Sequence, residues 1–336
     1  MDTAHMPEAT GRMPDFLIVG APKAGTSALH AALSRHPDLW LSGVKEPKYF
    51  LCGDAPPPAY RGPGDAHSCR EWTWQRDRYS ALFAEATTDQ LCGESTPFYL
   101  YDDDAQRRIA TRLPDVRLVA ILRDPVDRAY SNWMHLWADG LEPLADFSQA
   151  CAAEQARIKA GWAPFWHYRT MGRYGRQLTG LFERFDRDRV LLLRYRELVD
   201  EPQYTLDRVC RFLGVRDGAV GNVPPDNSRP FVPAGPRAAV LGRTLRVGAR
   251  AGAHFPPQLW RRASRPLIDL LQSDRDAHRP TLSAEQRTRL LEPLLDDIEQ
   301  LEKVTGQSFD DWRGDVDRGS YRHRAQQGAS VVQGRT

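Results

Sequence analysis

Residues Gly20-Ala-Pro-Lys-Ala-Gly-Thr-Ser27 stand between a short apolar run, Phe16 to Val19, and a stretch of helical spacing from Thr26 to Ser34. This strand, glycine loop and helix constrain the chain more than any other feature. Backbone N–H groups around Ala24 to Ser27 are expected to point at a bound anion, with Gly20 and Gly25 letting the backbone approach it. The helix dipole adds roughly half a positive charge at that end. A Walker A loop would carry Lys where this chain has Thr26, so that the lysine reaches the β and γ phosphates and the next hydroxyl binds magnesium. Here the lysine comes three residues earlier, at Lys23. A bland strand-to-helix turn is the rival reading, and Lys23, Thr26 and Ser27 in one octapeptide weigh against it.

The rest of the chain supplies the sheet such a loop needs. Leu39 to Leu41, Gln90 to Gly93, Val116 to Leu122 and Val190 to Tyr195 read as further strands. Helices are expected near Asp77 to Ala86, Ala105 to Leu113, Pro125 to Ala138, Phe147 to Lys159, Tyr174 to Phe185 and Pro202 to Leu213. Apolar strands alternating with helices predict an α/β fold, a P-loop-like central parallel sheet with helices on both faces. One domain is expected over residues 14–313, after a flexible N-terminus at 1–13 and before a disordered tail at 314–336. Residues 215–280 would form a variable Arg- and Pro-rich cap. Within it, Arg229 to Arg265 holds eight Arg and no Asp or Glu, and reads as irregular. Helical periodicity returns from Thr281 to Val304, with Phe309 and Trp312 as a docked final turn.

Composition sets limits. The 46 Lys plus Arg nearly balance 44 Asp plus Glu, so nothing in the net charge calls for nucleic acid or an anionic membrane. No apolar run approaches the roughly 20 residues of a membrane span. Met1 to Met13 has no export-signal pattern, and the five cysteines are odd in number and scattered, so a reducing cytoplasm and no structural metal are expected. Of the basic residues 41 are Arg and only five are Lys, and three of those lysines fall at 23, 45 and 48.

Phe16-Leu-Ile-Val-Gly-Ala-Pro-Lys-Ala-Gly-Thr-Ser-Ala-Leu29 resembles the 5'-phosphosulfate loop of sulfotransferases that use 3'-phosphoadenosine-5'-phosphosulfate (PAPS). Ile121-Leu-Arg-Asp-Pro-Val-Asp-Arg-Ala-Tyr-Ser131 resembles the strand and helix that bind the donor's 3'-phosphate in that family. Tyr195-Arg-Glu-Leu-Val-Asp-Glu-Pro202 and Phe212-Leu-Gly214 are similar to its later landmarks, so the likeness covers about Pro14 to Leu213. It implies a donor site of Gly20, Lys23, Ala24, Gly25, Thr26, Ser27, Arg123, Ser131 and Arg229, with Asn227 and Ser228 beside the last. It also implies adenosine 3',5'-bisphosphate as product and no metal. Chemistry supports Arg123 independently, because a planar guanidinium forks a phosphate. A salt bridge between Arg123 and Asp124 is the alternative, and Arg128 could point to solvent.

Sulfuryl transfer needs a base for the acceptor and a cation at the leaving oxygen. Lys23 suits the second role. For the first, Gly43-Val-Lys-Glu-Pro-Lys-Tyr-Phe50 resembles the Lys-Glu-Pro-aromatic segment of heparan sulfate type and related bacterial sulfotransferases, which implies Glu46 as base. Lys45 and Lys48 would keep Glu46 ionised or contact substrate. Two departures count against a sulfated-polysaccharide acceptor: Glu94-Ser-Thr-Pro97 replaces that family's Glu-Lys-x-Pro, and Lys48 stands where many members have His. A histidine base would come from His30, His36, His135 or His167. Trp162, Phe165, Trp166, His167, Tyr168 and Tyr174 make an aromatic cluster that lines an acceptor pocket or builds core, with Trp166 and Tyr168 the candidate contacts. The expected function is sulfuryl transfer to a hydroxyl or amine of a small-molecule, glycolipid or secondary-metabolite acceptor. An ATP-dependent kinase and a silent nucleotide-binding module are the alternatives.

Overall fold

The computed structural model describes residues 11–221, 223, 230–252, 256–274 and 280–313. Asn227, Ser228, Arg229 and the tail at 314–336 lie outside the described residues. Five parallel strands form one sheet: β1 (Phe16–Gly20), β2 (Leu39–Leu41), β3 (Leu91–Ser95), β4 (Arg117–Leu122) and β5 (Val190–Arg194), in the order β2-β3-β1-β4-β5. β1 is central and buried along its whole length, as expected of a strand read as a continuous apolar run. Phe16 sits opposite Gly93 on one side and Arg117 on the other. The Phe16 ring lies so close that a Cβ on Gly93 would fall 2.1 Å from it, so this pairing requires glycine.

After β1 the chain moves to the β2–β3 side and later crosses to β4 on the other side. The carboxyl ends of β1 and β4 therefore flank the topological switch point, where open parallel sheets bind ligands. The loop at 20–27 leaves β1 and Arg123 follows β4, so topology alone brings them together.

Two helices match their expected bounds at both ends, Pro125–Ala138 and Pro202–Leu213. Each begins with proline at the first turn, where a missing N–H costs nothing. The helix expected over Phe147 to Lys159 is two, Phe147–Ala152 and Glu154–Lys159, broken where the buried Glu154 turns inward to accept from the N–H groups of Arg169 and Thr170. The segment expected to be irregular is also different. Its described part forms the helices Pro236–Gly252 and Pro257–Leu271, antiparallel, with Gly248 against Trp260 and Arg237 donating to the Leu270 carbonyl. Ala238, Leu245, Ala249 and Leu271 are buried on the inward side, and Gly140 packs against Leu245 and Leu271. Most of the arginines lie outward in water, so they need no acidic neighbours in sequence. The helix Leu295–Thr305 closes the body on Tyr174–Phe182, with Asp297 accepting from Gly175 and Arg176 N–H. All five cysteines are free thiols, and among the described residues no helix is long and apolar enough to cross a membrane.

Candidate active site

The loop after β1 is fastened to the sheet. Ala21 N–H donates to the Ile121 carbonyl of β4 at 2.8 Å, and Ala24 N–H closes a turn onto the Ala21 carbonyl at 3.2 Å. Lys23 and Gly25 both take left-handed backbone angles, φ 67° and 88°. The helix Thr26–Leu33 then starts with no side-chain cap and no acidic residue in its first turn. With no side chain spent on its first turn, this terminus leaves N–H donors for an anion, as do several other helix starts in the fold; what sets it apart is its place at the switch point beside Lys23. Ala24 is fully buried and its N–H closes the turn onto Ala21, while Gly20 ends β1 where a Cβ would fall 2.6 Å from Leu100.

A second strained turn faces this loop. Glu46 and Lys48 also have positive φ, 61° and 64°, sparsely populated for residues with a Cβ and costing of order 1–3 kcal/mol each. The end of β3 holds the turn in place. Glu46 N–H donates to the Ser95 carbonyl at 3.0 Å, and Lys48 N–H donates to Thr96 Oγ1 at 3.2 Å. Thr96 Oγ1 in turn donates to the buried Glu94, which also accepts from Tyr79. Burial, only partly offset by these hydrogen bonds, pushes Glu94 up to about 7. On the turn itself, Lys45 Nζ lies 2.6 Å and Lys48 Nζ 3.7 Å from the Glu46 carboxylate. Burial would raise Glu46, but Lys45 and then Lys48 outweigh it and hold the carboxyl below its usual range. Lys48 Nζ also sits 5.3 Å from the centre of the Trp72 ring and 5.2 Å from that of Phe98, within cation–π reach.

At β4, Arg123 is not the partner of Asp124. Asp124 accepts from Val126 and Asp127 N–H to cap the Pro125 helix, and its other oxygen pairs with Arg287. Burial and the Asp127 charge raise Asp124 to about 6 against the pull of Arg287. Arg123 is thereby released toward the loop. It donates to the Lys23 carbonyl at 3.0 Å and stacks 4.4 Å over the Tyr195 ring, which also lies against Gly25. Ser131 is half-buried on the same helix. Arg128, read as possibly solvent-facing, is fully buried and donates to Asn132 Oδ1 and the Tyr168 carbonyl.

The two strained turns border one cavity of about 410 Å³, lined by Lys23, Gly25, Thr26, Ser27, Glu46, Lys48 and His135, with Arg123 and Ser131 outside its lining. Lys23 Nζ lies 3.3 Å from His135 Nδ1, and His135 Nε2 lies 3.5 Å from Asp139 Oδ2. An ammonium can only donate, so Nδ1 is the acceptor and the ring proton sits on Nε2, toward Asp139. The other candidate histidines do different work. His36 bonds the Arg216 carbonyl, His167 is buried against the Tyr101 hydroxyl, and burial drives His30 down to about 4.

Trp166 is among the residues that line the cavity. Tyr168 is not: it is fully buried, with its hydroxyl on Glu142, and belongs to the core. Lys45 points its ammonium at Glu46 and lies outside the lining. Sequence reasoning missed Asp65, Trp72 and Phe98. Phe98 follows directly on Glu94-Ser-Thr-Pro97 and His135 has an acidic partner four residues on, but only the folded chain shows which neighbours they meet. Among the described residues no group of three or more His, Cys, Asp or Glu is arranged to hold a metal ion.

A parallel sheet with an uncapped helix terminus at its switch point, bordered by lysine, carboxylate and imidazole, defines a group-transfer site for an anionic donor. The chain belongs to the sulfotransferase family, whose profile matches residues 14–218. It is 29% identical over 219 residues to heparan sulfate glucosamine 3-O-sulfotransferase 6 of Mus musculus, covering 63% of this chain and 56% of that one. It is 30% identical over 211 residues to bifunctional heparan sulfate N-deacetylase/N-sulfotransferase 3 of the same species, covering 61% of this chain and 22% of that one. The chain thus spans little more than half the length of the first of these relatives and less of the second. A sulfotransferase from Alicyclobacillus acidocaldarius superposes with a TM-score of 0.69 at 27% identity, covering 90% of this chain and all of that one.

Proposed function

We propose that the protein transfers the sulfuryl group of PAPS to a hydroxyl or amine of a small acceptor, releasing adenosine 3',5'-bisphosphate. The observation that carries this reading is the meeting of Lys23, Glu46 and His135 at one cavity beside the bare helix terminus. The N–H groups of Gly25, Thr26 and Ser27, with Lys23, hold the phosphosulfate end of the donor. Arg123 and Ser131 take the 3'-phosphate, with Arg229 as a third contact.

The acceptor gives its proton to Glu46, which Lys45 and Lys48 keep ionised at neutral pH. The acceptor's oxygen or nitrogen forms the new bond to sulfur as the bond from sulfur to the bridging phosphate oxygen breaks. Negative charge grows on that oxygen, and the Lys23 ammonium stabilises it. An ammonium has three N–H donors, so Lys23 can serve that oxygen from its place on His135, whose ring Asp139 holds. Heparan sulfate, the substrate in the relatives' names, is not the acceptor proposed. Ser95, in place of lysine, is fully buried and offers no cation to a polyanion.

Residues 14–313 make the catalytic domain in this reading, with 215–280 as its cap, and the setting is the cytoplasm. Radiolabelled PAPS incubated with the protein and a metabolite extract tests it. A labelled product that Lys23→Met abolishes supports the reading. Transfer of the γ-phosphate of ATP with magnesium, and none from PAPS, would replace it with a kinase.

A further inference from the structure

We infer that the acceptor is a neutral, ring-bearing apolar alcohol, held by an aromatic wall that starts at the reactive groups. The inference rests on the proposed donor reading and adds the chemistry of the second substrate.

The charges of the cavity are segregated. Lys23, Glu46, Lys48, His135 and Asp139 gather at the reactive end with the hydroxyls of Thr26 and Ser27. Beyond them the lining is apolar except for Asp65 and Ser68. Asp65 has most of its acceptor capacity already used. Its carboxylate already accepts from Gly62 N–H at 2.7 Å, Ala163 N–H at 2.9 Å and the Trp166 indole at 2.9 Å.

The aromatic wall is continuous with the chemistry. The Phe165 ring stands edge-on to His135 with centroids 5.4 Å apart, and Phe98 stands edge-on to Phe165 at 6.0 Å. Trp72 and Phe98 flank the Lys48 ammonium, so the wall meets the cation paired with Glu46. An acceptor ring stacked on these faces would carry its hydroxyl to Glu46 and His135. Saccharides, by contrast, need many hydrogen-bonding partners, and burying their hydroxyls against this wall without them costs roughly 1–3 kcal/mol each. Polyanionic chains would also meet Asp65 and Asp139. The volume falls within the roughly 300–1,000 Å³ of drug-sized sites, not of an open polymer cleft.

The experiment measures transfer of labelled sulfate from PAPS to 2-naphthol and to an unsulfated heparosan tetrasaccharide, with calorimetry of adenosine 3',5'-bisphosphate in parallel. The expected result is a kcat/KM at least tenfold higher for 2-naphthol. Trp72→Leu and Phe165→Leu should each raise its KM about tenfold, with nucleotide affinity within twofold and the circular dichroism of the folded chain retained. Preference for the tetrasaccharide, an unchanged KM in both variants, or nucleotide binding with neither acceptor sulfated would overturn the inference while leaving the donor site standing. Absence of nucleotide binding would instead overturn the donor reading on which it rests.

Discussion

Glu46→Gln separates chemistry from structure at this site. The amide keeps the shape of the side chain but cannot take a proton at neutral pH. Loss of a general base costs about 10²–10⁴-fold in turnover, or roughly 3–5 kcal/mol of barrier. The structural cost is smaller. The substitution removes the ion pairs with Lys45 and Lys48, whose side chains are 30% and 15% exposed, while also relieving the desolvation of the carboxylate. Pairs this close to water contribute at most about 1 kcal/mol. The backbone bond from residue 46 to Ser95 does not depend on the side chain, so the turn persists. Turnover should therefore fall at least ~100-fold, with affinity for adenosine 3',5'-bisphosphate within twofold and little change in melting temperature. In the native protein, kcat/KM should stay level on the acid side until below pH 4.5, because the lysines hold Glu46 under its ordinary range. Turnover within threefold of native, or an acid limb between pH 6 and 7, would refute Glu46 as base.

Three further outcomes follow from the geometry. Gly25→Ala forces a Cβ into a left-handed position 3.0 Å from Leu198 and 3.1 Å from Tyr195, so it should lose about 1–2 kcal/mol in denaturant titration and weaken nucleotide binding; unchanged affinity would contradict the anion-loop geometry. Arg157→Leu strands the buried Glu142 carboxylate, which Arg157 grips through two nitrogens, and should cost about 3–5 kcal/mol in the same assay; a loss under about 1 kcal/mol would contradict the reading of a buried pair. Glu94, raised by burial to about 7, holds protons in the folded state that the unfolded chain releases near 4.5, so native stability should fall as pH rises between these values, by up to about 3 kcal/mol. Glu94→Gln should flatten that part of the stability profile, and a slope identical to native would contradict the assignment.

Local chemistry explains which features were legible from sequence. Proline at the first turn and a continuous apolar strand before it mark Pro125–Ala138 without tertiary information, and the loop at 20–27 carries its own signature. The helices at 236–252 and 257–271 were hidden because glycine, proline and outward arginine dilute the apolar period, and their buried stripe shows only against Gly140 and its neighbours. Arg123 and Arg128 illustrate another limit. Five residues apart, they look alike in sequence, yet the remote Arg287 satisfies Asp124 and so frees Arg123, while Arg128 is enclosed by the Tyr168 carbonyl and Asn132. Trp166 and Tyr168 diverge for a similar reason: both are buried rings, but one indole edge meets Asp65 at the cavity and the other ring's hydroxyl meets Glu142 in the core. His135 needed the fold, because the Lys23 that marks it lies 112 residues away.

Calorimetric titration of the native protein and of Arg123→Ala with adenosine 3',5'-bisphosphate shows whether the loop after β1 and the end of β4 hold the nucleotide. A single site on the native chain and at least a tenfold loss in the variant are expected, because a charge-assisted phosphate contact is lost with a guanidinium that the Lys23 carbonyl and Tyr195 ring hold in place. Equal affinity in the two proteins, or no binding to the native one, would contradict that placement.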